Sequence, residues 1–460
     1  MSNNTKYFGT DGFRGKANVE LTALHAFKIG RFLGWYYKRE NPNYRPRIVI
    51  GKDTRISSYM LEYAVASGIT SSGADAYMLH VTTTPSVSYV VRQDSFDCGI
   101  MITASHNHFA DNGIKVLNRF GEKMEDEVIL LIEAYLDGDL NKLNVKESDL
   151  PLVTDEEVGK IVDYVAGRNR YVGYLISLAS HSYRDLKIGI DCANGASWMI
   201  AKAVFDALGA KTYLIGVSPD GTNINMNCGS THPEALCKLV ADNNLDIGFT
   251  FDGDADRCIA VDENGNIIDG DKILYILAKR LKRKDMLKGN TVVATIMSNL
   301  ALVNSLKYES IECMFTAVGD KYVYSAMQEH DYQLGGEQSG HIILRKYATT
   351  GDALLTAIML TEEMKDRKCP ISKLCEAVNL YPQITKNYKV TDKSAVTKDQ
   401  TLINLVNDIN DRLSGNGRVI LRASGTENLI RVMAESASEE ECNSLISEIE
   451  NKMKERNYLI

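Results

Sequence analysis

The sequence lacks the features that mark a membrane or secreted protein. No apolar run reaches the roughly 18 residues that a bilayer-spanning helix needs. The first residues, Met-Ser-Asn-Asn-Thr-Lys, do not join a charged stretch to an apolar one, as a secretory signal does. Nine cysteines are present, but no two stand in a Cys-x-x-Cys pair, and several lie in apolar runs. We therefore expect a cytoplasmic protein with reduced, mostly buried thiols and no membrane partner.

Excess positive charge is also lacking. The formal net charge is −8, which argues against binding of nucleic acid, because that requires a basic face. With 44% hydrophobic and 24% charged residues, the composition is that of an ordinary globular protein. The length of 460 residues allows about three or four domains, each with its own core. An anionic ligand would have to be held by local clusters of basic residues.

One order of strands and helices recurs three times along the chain. Each copy has a strand, a helix, a second strand, a second helix and a third strand. The predicted strands are 47–51, 76–79 and 98–102 in the first copy, 187–191, 211–215 and 247–251 in the second, and 291–295, 313–316 and 332–334 in the third. Strands that alternate with helices predict parallel βαβ units with helices on both faces of each sheet.

A fourth region follows the third copy and is too short for another repeat. Its predicted strands are 418–421 and 429–435, followed by an amphipathic helix at 439–456. We therefore predict an α/β protein of three similar α/β/α domains, with mixed, mainly parallel sheets, and a smaller α+β domain around a central cleft. The predicted domains are 1–150, 151–257, 258–369 and 370–460.

The most informative stretch follows the third strand of the second copy and reads Asp252-Gly-Asp254-Ala-Asp256-Arg257. Three carboxylates so close together repel one another at neutral pH. A hard divalent cation relieves that repulsion, and Mg²⁺ prefers oxygen ligands. Open α/β sheets place their ligands at this end of their strands. The sequence therefore predicts one Mg²⁺ bound by the three aspartates.

The third strand of the first copy is followed by Thr103-Ala-Ser105-His106-Asn107. Ser105 could be a nucleophile, a carrier of phosphate or a turn residue. A hydrolase-type serine–histidine pair is disfavoured, because adjacent loop residues rarely act together and no G-x-S-x-G motif is present. Beside the acidic loop, a phosphoserine is the favoured interpretation, because its dianion would supply a further ligand to the metal.

The third strand of the third copy is followed by a glycine-rich loop, Gly335-Gly-Glu337-Gln-Ser339-Gly-His341. Donors and acceptors set between glycines suit a ligand rich in hydroxyl groups, such as a sugar. Glu337 could accept hydrogen bonds from two of those hydroxyls.

The fourth region contains a stretch typical of a phosphate cradle, Arg422-Ala-Ser424-Gly425-Thr426. The glycine lets backbone amides approach an anion, the two hydroxyls donate, and the arginine offers a bidentate fork. Arg431, in the following strand, could add a further positive charge.

The negative charge of the acidic and serine loops can be offset only if the basic residues of the other loops lie in the same site. A phosphoserine at about −2, three aspartates and Mg²⁺ leave about −3, and a phosphosugar adds about −2 more. Such a site needs several cations. The cations available in or near the candidate loops are Arg14, Lys115, Arg257, Arg422 and Arg431.

The four loops resemble, in order, the signatures of the α-D-phosphohexomutase superfamily, and the resemblance covers nearly the whole chain. The matching stretches are 103–107, 252–257, 336–341 and 422–426. Within the superfamily the chain is most similar to the bacterial phosphoglucosamine mutases. The residues that favour this subfamily are 7–12, 191–196, 221–225, 228–230, 318–320 and above all Gln338, where phosphomannomutase/phosphoglucomutase relatives usually carry Met.

The resemblance implies an isomerase that interconverts glucosamine 6-phosphate and glucosamine 1-phosphate and feeds UDP-N-acetylglucosamine synthesis. It implies that Ser105 carries the phosphoryl group, that a bisphosphosugar is the intermediate, and that Ser105 joins the three aspartates in binding Mg²⁺. On this hypothesis Lys115 or His106 assists proton transfer, and Arg14 steadies the transferring group. The residues expected to bind the phosphosugar are Arg257, Glu337, Ser339, His341, Arg422, Ser424, Gly425, Thr426 and Arg431.

Three other functions remain open from the sequence. A phosphomannomutase or phosphoglucomutase would share every loop. A sugar-phosphate phosphatase could use Asp252 as its nucleophile, and a non-catalytic sugar-phosphate-binding protein would carry no phosphate on Ser105. The sequence also leaves open whether the chain is a monomer or a homodimer.

Overall fold

The computed structural model describes residues 5–39, 41, 43–143, 146, 150, 152–424 and 429–460. The chain forms two compact units, of which the first comprises residues 1–296 and 313–375 and the second residues 297–312 and 376–460. Among the helices of the described residues, none combines the length and the hydropathy that a bilayer span requires. Six of the nine cysteines are buried, as the sequence predicted.

The largest sheet of the first unit has seven strands, in the order β1-β2-β6-β5-β3-β4-β7. They are β1 (Phe8–Gly9), β2 (Gly12–Lys16), β3 (Arg47–Lys52), β4 (Asp75–Val81), β5 (Cys98–Ile102), β6 (Asp111–Leu117) and β7 (Ile161–Asp163). The helices of this region are α1 (Ala23–Lys38), α2 (Ile56–Ser71), α3 (Thr84–Gln93), α4 (Asp126–Asp137), α5 (Leu140–Leu143) and α6 (Val165–Leu178). Strand β3 is parallel to β4 and β5, whereas β6 runs antiparallel to β5.

The second sheet has five strands, in the order β12-β11-β10-β8-β9. They are β8 (Lys187–Asp191), β9 (Lys211–Ile215), β10 (Ile247–Phe251), β11 (Cys258–Val261) and β12 (Ile267–Ile268), accompanied by α7 (Trp198–Ala207) and α8 (Glu234–Asn243). Strands β8, β9 and β10 are parallel, and β11 returns antiparallel to β10.

The third sheet has the order β14-β13-β15-β16. Its strands are β13 (Thr291–Thr295), β14 (Glu312–Thr316), β15 (Leu334–Gly336) and β16 (Ile342–Leu344). The helices of this part of the chain are α9 (Gly270–Arg283), α10 (Leu300–Tyr308), α11 (Asp320–His330), α12 (Ala353–Arg367) and α13 (Ile371–Leu374). Helix α10 belongs to the second unit.

The second unit is built on a three-stranded antiparallel sheet in the order β17-β19-β18. The strands are β17 (Gln383–Lys389), β18 (Arg418–Ala423) and β19 (Leu429–Glu435). Besides α10, its helices are α14 (Lys393–Lys398), α15 (Gln400–Leu413) and α16 (Glu439–Glu455). The apolar faces of α15 and α16 pack on the sheet in a core that includes Leu402, Val432 and Ile446.

The predicted fold class is confirmed, because three α/β sheets with helices precede a smaller α+β region. Strands β8, β9, β10, β13 and β19 lie at the predicted residues. The strand predicted at 332–334 is present but misplaced by two residues, since β15 begins at Leu334. Asp331 ends α11 in the left-handed conformation, and Tyr332 N donates to Met327 O, so this segment forms the cap of the helix. The boundaries predicted between the three α/β/α domains stay predictions.

Each candidate loop of the first unit lies between a parallel strand and an antiparallel return strand. These pairs are β5 and β6, β10 and β11, and β15 and β16. The return strands were not predicted as members of the sheets. They matter for the site because each loop is thereby anchored at both ends by a sheet.

Helices α1 and α2 pack so closely that a side chain at Gly68 has no room. A Cβ atom at this position would lie 2.0 Å from the carbonyl oxygen of Phe27. We predict that Gly68→Ala lowers the free energy of unfolding by about 1–3 kcal/mol, because backbone atoms would have to shift. Urea denaturation of the purified protein measures this change.

The matched control is Gly173→Ala in α6. Gly173 is exposed, and among the described atoms none lies within 4 Å of a Cβ placed there. This change should raise the free energy of unfolding by about 0.5–1 kcal/mol, because alanine favours helix. Equal stability of the two variants would contradict the packing described for α1 and α2.

Candidate active site and metal centre

The acidic loop at the end of β10 is a cluster of buried carboxylates. Asp252, Asp254 and Asp256 are each buried, and one carboxylate oxygen from each lies within 4.8 Å of the others. Between them, Gly253 packs directly on the serine loop, because a Cβ atom there would lie 2.5 Å from Ser105 O. The two loops that the sequence singled out are therefore in contact.

The carboxylate cluster has the donors that a divalent metal ion needs. Asp254 Oδ1 and Asp256 Oδ1 are buried and accept no hydrogen bond from any described residue. Leaving such oxygens unpaired costs about 1–3 kcal/mol each, and more when the group is charged. An all-oxygen donor set of this kind suits a hard cation such as Mg²⁺. The three aspartates thus fit a metal ion, as the sequence predicted.

Ser105 points its hydroxyl at this cluster. Its Oγ donates to Asp252 Oδ2 at 2.5 Å, and His106 Nδ1 lies 3.3 Å from the same Oγ. Ser105 is buried and has a left-handed backbone with φ of 50°, which is uncommon for a residue with a side chain. The surroundings therefore hold this serine in one orientation, with its oxygen at the carboxylates.

The carboxylates of the cluster differ in their affinity for protons. Burial raises the pKa of Asp252 well above its usual value, and Asp256 and Asp254 add to that rise. Burial acts in the same direction on Asp256, but Lys115, His341 and Arg257 together hold its pKa well below the usual value. The buried Asp252 carboxylate is thus opposed by burial and by its acidic neighbours, and a nearby cation would favour its charged form.

Lys115, in β6, supplies the main positive charge to the cluster. Its Nζ lies 2.8 Å from Asp254 Oδ2, 2.9 Å from Asp256 Oδ2 and 3.1 Å from Asp11 Oδ2. Burial opposes the charged form, but Asp11, Asp254 and Asp256 raise the pKa of Lys115 well above its usual value. Lys115 is therefore a fixed cation enclosed by three carboxylates.

His106 and Arg14 also lie beside the serine loop, and Arg14 shares the carboxylate of Asp11 with Lys115. Burial, together with Arg257 and Arg14, lowers the pKa of His106 to about 4, so its imidazole is neutral at pH 7. The guanidinium of Arg14 donates to Asn107 Oδ1 at 3.4 Å and pairs with Asp11. Both residues predicted to assist Ser105 are thus brought to its loop.

The glycine-rich loop meets the metal cluster through its last residue. His341 is buried, with Nδ1 3.7 Å from Asp256 Oδ1 and Nε2 3.5 Å from Asp320 Oδ2. Burial opposes its charged form, but these two carboxylates raise the pKa of His341 to about 9. Glu337 is half-buried, whereas Ser339 is exposed. Within this loop, His341 contacts the metal cluster and Ser339 faces solvent.

Arg257 links the acidic loop to the glycine-rich loop. Burial opposes an upward shift, but Asp252, Asp256, Asp11 and Glu337 together raise its pKa. Its Nε is buried and makes no hydrogen bond to a described residue. This arginine is therefore surrounded by negative charge and retains a donor for a ligand.

In the second unit, two arginines lie side by side on neighbouring strands. Arg422 in β18 is directly opposite Arg431 in β19, and burial together with Arg431 lowers the pKa of Arg422. Like charges in this arrangement destabilise a sheet, which an anion between them would reverse. Ser424 is buried, and Lys393 Nζ donates to its carbonyl oxygen at 3.0 Å. Gly425 and Thr426, predicted to complete this cradle, lie outside the described residues.

Several residues of the site were missed by the sequence argument. In the first unit they either pair with predicted residues or hold the serine loop, and in the second unit a lysine joins the arginines. These residues are Asp11, Asp53, Arg55, Thr84, Asn225, Asp320 and Lys393. For Asp53 and Arg55 the sequence did contain a signal. Residues 53–55 lie just after a predicted parallel strand, at the edge of the sheet where ligands bind.

Thr84 is not itself a predicted metal ligand, so its replacement tests the metal centre while all three aspartates stay in place. Its hydroxyl donates to Asp254 Oδ2 at 2.5 Å and so orients that carboxylate. We predict that Thr84→Val weakens binding of Mn²⁺, used as a probe, by about 10–100-fold, as loss of an outer hydrogen bond usually does. Isothermal titration calorimetry measures the affinity.

Asp254→Asn is the stronger variant for the same measurement. Thr212→Val, at a half-buried threonine of β9 whose hydroxyl donates to Asp206, is the matched control. The asparagine variant should lose more affinity than Thr84→Val, and the control should keep that of the wild type. Unchanged Mn²⁺ binding in Asp254→Asn would contradict a metal centre at this cluster.

Comparison with known protein families identifies four successive domains. The matching descriptions are "Phosphoglucomutase/phosphomannomutase, alpha/beta/alpha domain I" at residues 5–142, domain II at 169–265, domain III at 269–381 and the C-terminal domain at 386–452. A curated phosphoglucosamine mutase from Lachnospira eligens is 54% identical over 455 residues, which cover 99% of this chain and 100% of that protein.

Solved structures of low sequence identity share the fold. A phosphoglucomutase/phosphomannomutase family protein from Burkholderia thailandensis has a TM-score of 0.79 at 21% identity, covering 99% of this chain and 100% of that one. N-acetylphosphoglucosamine mutase from Aspergillus fumigatus, solved with GlcNAc-6P and magnesium, has a TM-score of 0.69 at 16% identity, covering 99% and 97%.

Proposed function

This chain belongs to the phosphoglucomutase/phosphomannomutase family, and we propose that it interconverts glucosamine 6-phosphate and glucosamine 1-phosphate. The observation that carries the chemistry is the 2.5 Å hydrogen bond from Ser105 Oγ to Asp252, inside a buried cluster of three aspartates. The choice of sugar is supported by the identity of 54% to a phosphoglucosamine mutase over nearly the full chain.

Ser105 is proposed to carry the phosphoryl group between the two positions of the sugar. A hydroxyl of the bound phosphosugar attacks the phosphorus of phosphoserine, and the bond from phosphorus to Oγ breaks. The proton of that hydroxyl is passed on to Oγ, and a bisphosphosugar and a free Ser105 hydroxyl result. The bisphosphosugar then turns over and returns its other phosphoryl group to Ser105. The enzyme is regenerated, and the phosphate of the product has moved from one sugar oxygen to another.

Mg²⁺, held by Asp252, Asp254, Asp256 and the phosphoserine, would neutralise charge on the phosphoryl oxygens. The aspartates themselves do not react in this proposal. They keep the acceptor oxygens fixed at the end of β10, so catalysis depends on positioning and on electrostatic stabilisation.

Geometry favours His106 over Lys115 for the transfer of protons. His106 Nδ1 lies 3.3 Å from Ser105 Oγ, within reach of a proton on the reacting oxygen. The ammonium group of Lys115 already points at three carboxylates, two of them on the metal loop. We therefore propose that His106 transfers the proton and that Lys115 compensates negative charge. Arg14 steadies the transferring phosphoryl group.

The remaining predicted residues are proposed to hold the substrate. Glu337 and Ser339 would accept and donate hydrogen bonds to the sugar hydroxyls, with Arg257 and His341 beside them. Paired arginines and a buried serine support binding of the phosphate that is not being transferred. The proposed phosphate ligands are Arg422, Ser424, Gly425, Thr426 and Arg431.

The proposed setting of the enzyme is the cytoplasm, where cysteine thiols stay reduced. Its proposed partners are the phosphosugar substrates and the bisphosphosugar intermediate, with neither nucleic acid nor membrane. A monomer and a homodimer both stay compatible with this function.

Replacement of the serine tests the proposal directly. We predict that Ser105→Ala lowers kcat by more than about 10³-fold, because the group that carries the phosphate is gone. Intact-mass spectrometry should find one phosphate on the wild type and none on the variant. Ser72→Ala, a buried serine at the end of α2, is the matched control and should keep both activity and phosphate.

Substrate choice is tested by comparing the turnover of the wild type on the 6-phosphates of glucosamine, glucose and mannose. Fastest turnover of the glucosamine compound is expected. Faster turnover of mannose or glucose 6-phosphate would identify a sibling mutase instead. An active Ser105→Ala variant with phosphate on Asp252 would show a phosphatase, and binding without turnover would show a non-catalytic protein.

The arginine pair of the second unit tests the phosphate cradle. We predict that Arg422→Met raises KM for the sugar phosphate by about 10–100-fold, since a hydrogen bond between charged groups contributes about 1.5–3 kcal/mol. The same change should not lower stability, because it removes a repulsion between like charges. Steady-state kinetics and urea denaturation measure the two effects.

Arg412→Met is the control for that experiment. Arg412 lies on α15, is exposed and pairs with Glu448. Its replacement should leave KM unchanged. If Arg422→Met also leaves KM unchanged, the role proposed for this strand pair is wrong.

A further inference from the structure

Arg55 lies next to the serine loop because of the register of the first sheet. Strand β3 is parallel to β5, with Lys52 opposite Ile102, so the residues that follow the two strands are neighbours. Asp53 N donates to Ile102 O at 3.0 Å, which continues the pairing into the loops. Arg55 lies two residues after Asp53 and directly precedes the first residue of α2. The loop after β3 is thereby fixed at both ends.

The guanidinium of Arg55 is completely buried, and all of its five N–H groups donate hydrogen bonds. One goes to a carboxylate, and the other four go to main-chain carbonyl oxygens of the serine loop. The acceptors are Asp53 Oδ2 at 2.8 Å, Ser105 O at 2.9 Å, Asn107 O at 2.9 Å, His108 O at 2.5 Å and Asp111 O at 3.1 Å. A single side chain therefore binds the backbone of the loop from Ser105 to Asp111.

Asp53 extends the same network to the amide of the serine. Its Oδ2 accepts from Thr103 Oγ1 at 2.8 Å, and Thr103 Oγ1 in turn accepts from Ser105 N at 2.9 Å. Its Oδ1 accepts from Ser58 Oγ, at the start of α2. Both the amide and the carbonyl of Ser105 are consequently held by the ion pair of Asp53 and Arg55.

Ser105 needs such support for two reasons. Its left-handed backbone, with φ of 50°, is unfavourable for a residue with a Cβ atom. Its hydroxyl also lies beside three carboxylates, so a phosphate there would be repelled until a cation is bound. If the loop were held only at its ends, it would relax to a more favourable backbone conformation and move the phosphate away from the carboxylates.

We propose that Arg55, fixed by Asp53, is a positioning residue that keeps Ser105 Oγ directed at the acidic loop during phosphoryl transfer. The inference rests on the proposed function only in that Ser105 carries the transferred group. Arg55 makes no contact with Oγ, and its charge is balanced by Asp53. It acts on the reaction through the main chain of the loop.

The arrangement requires arginine. Lysine has three donors on one nitrogen, whereas arginine has five spread over a planar fork. Arg55→Lys therefore keeps the ion pair with Asp53 but leaves at least two acceptors of the network without a donor. The conservative variant separates positioning by the fork from the effect of charge.

Steady-state kinetics of Arg55→Lys on glucosamine 6-phosphate is the first measurement. We expect kcat to fall about 100-fold, as a displacement of about 1 Å at a reacting group can cause, with KM within about 3-fold of the wild type. The matched control is Arg280→Lys, a buried arginine paired with Glu363 and Asp366. It should lose no more than about 3-fold in kcat. Equal kcat values, per folded molecule, in the two variants would overturn the proposal.

Hydrogen exchange of the peptide covering 103–113 is a readout that does not depend on turnover. Its amides should exchange at least about 10-fold faster in Arg55→Lys than in the wild type, and at the wild-type rate in Arg280→Lys. Unchanged exchange in Arg55→Lys would overturn the proposal. A wild type that turns over none of the sugar phosphates would refute the proposed function, while this exchange would still decide the role of Arg55.

If Arg55→Lys does not fold, Thr103→Val replaces it in both experiments. This change removes two hydrogen bonds: the one that Thr103 Oγ1 donates to Asp53 and the one that it accepts from Ser105 N. A fall in kcat of about 10-fold at unchanged KM, with faster exchange at 103–113, supports the proposal. Wild-type kcat and exchange would overturn it.

Discussion

The site depends on the repulsion among three carboxylates buried within 4.8 Å of one another at the end of one strand. Burial weakens the screening of these charges, so they must be balanced by nearby cations or protons. Lys115 balances part of the charge on Asp254 and Asp256. The remaining oxygens are suited to a metal ion. The need for positive charge explains why lysine, arginine and a divalent cation would gather around one serine.

The fold meets this need by pairing parallel strands with antiparallel return strands. A purely parallel βαβ unit would supply only the loop that leads from each strand into the next helix. Here β6 returns beside β5, with Lys115 opposite Met101, and so brings a lysine back to the edge where Ser105 lies. The same device, repeated in β11 and β16, fixes the acidic and glycine-rich loops. The distances within the site are therefore set by sheet register.

Strands with buried, β-branched sequences could be predicted from the sequence, and β8 and β10 lie at the predicted residues. The strand predicted at 332–334 was misplaced, because β15 contains two glycines that give no strand signal. The carboxylate cluster was predictable because its members are adjacent in sequence. The position of Arg55 after a predicted strand was a signal, but its role was not predictable. Four of its five acceptors are main-chain carbonyl oxygens of a distant loop, which the residue types do not reveal.

The central claim is that Ser105 Oγ and the three aspartates share one metal ion. Anomalous diffraction from crystals grown with Mn²⁺, in place of Mg²⁺, locates that ion directly. The account predicts a single peak within about 2.0–2.3 Å of oxygens from Asp252, Asp254 and Asp256, with a phosphate on Ser105 completing the shell. A peak elsewhere, or a Ser105 side chain turned away from a metal bound by the aspartates, would contradict it.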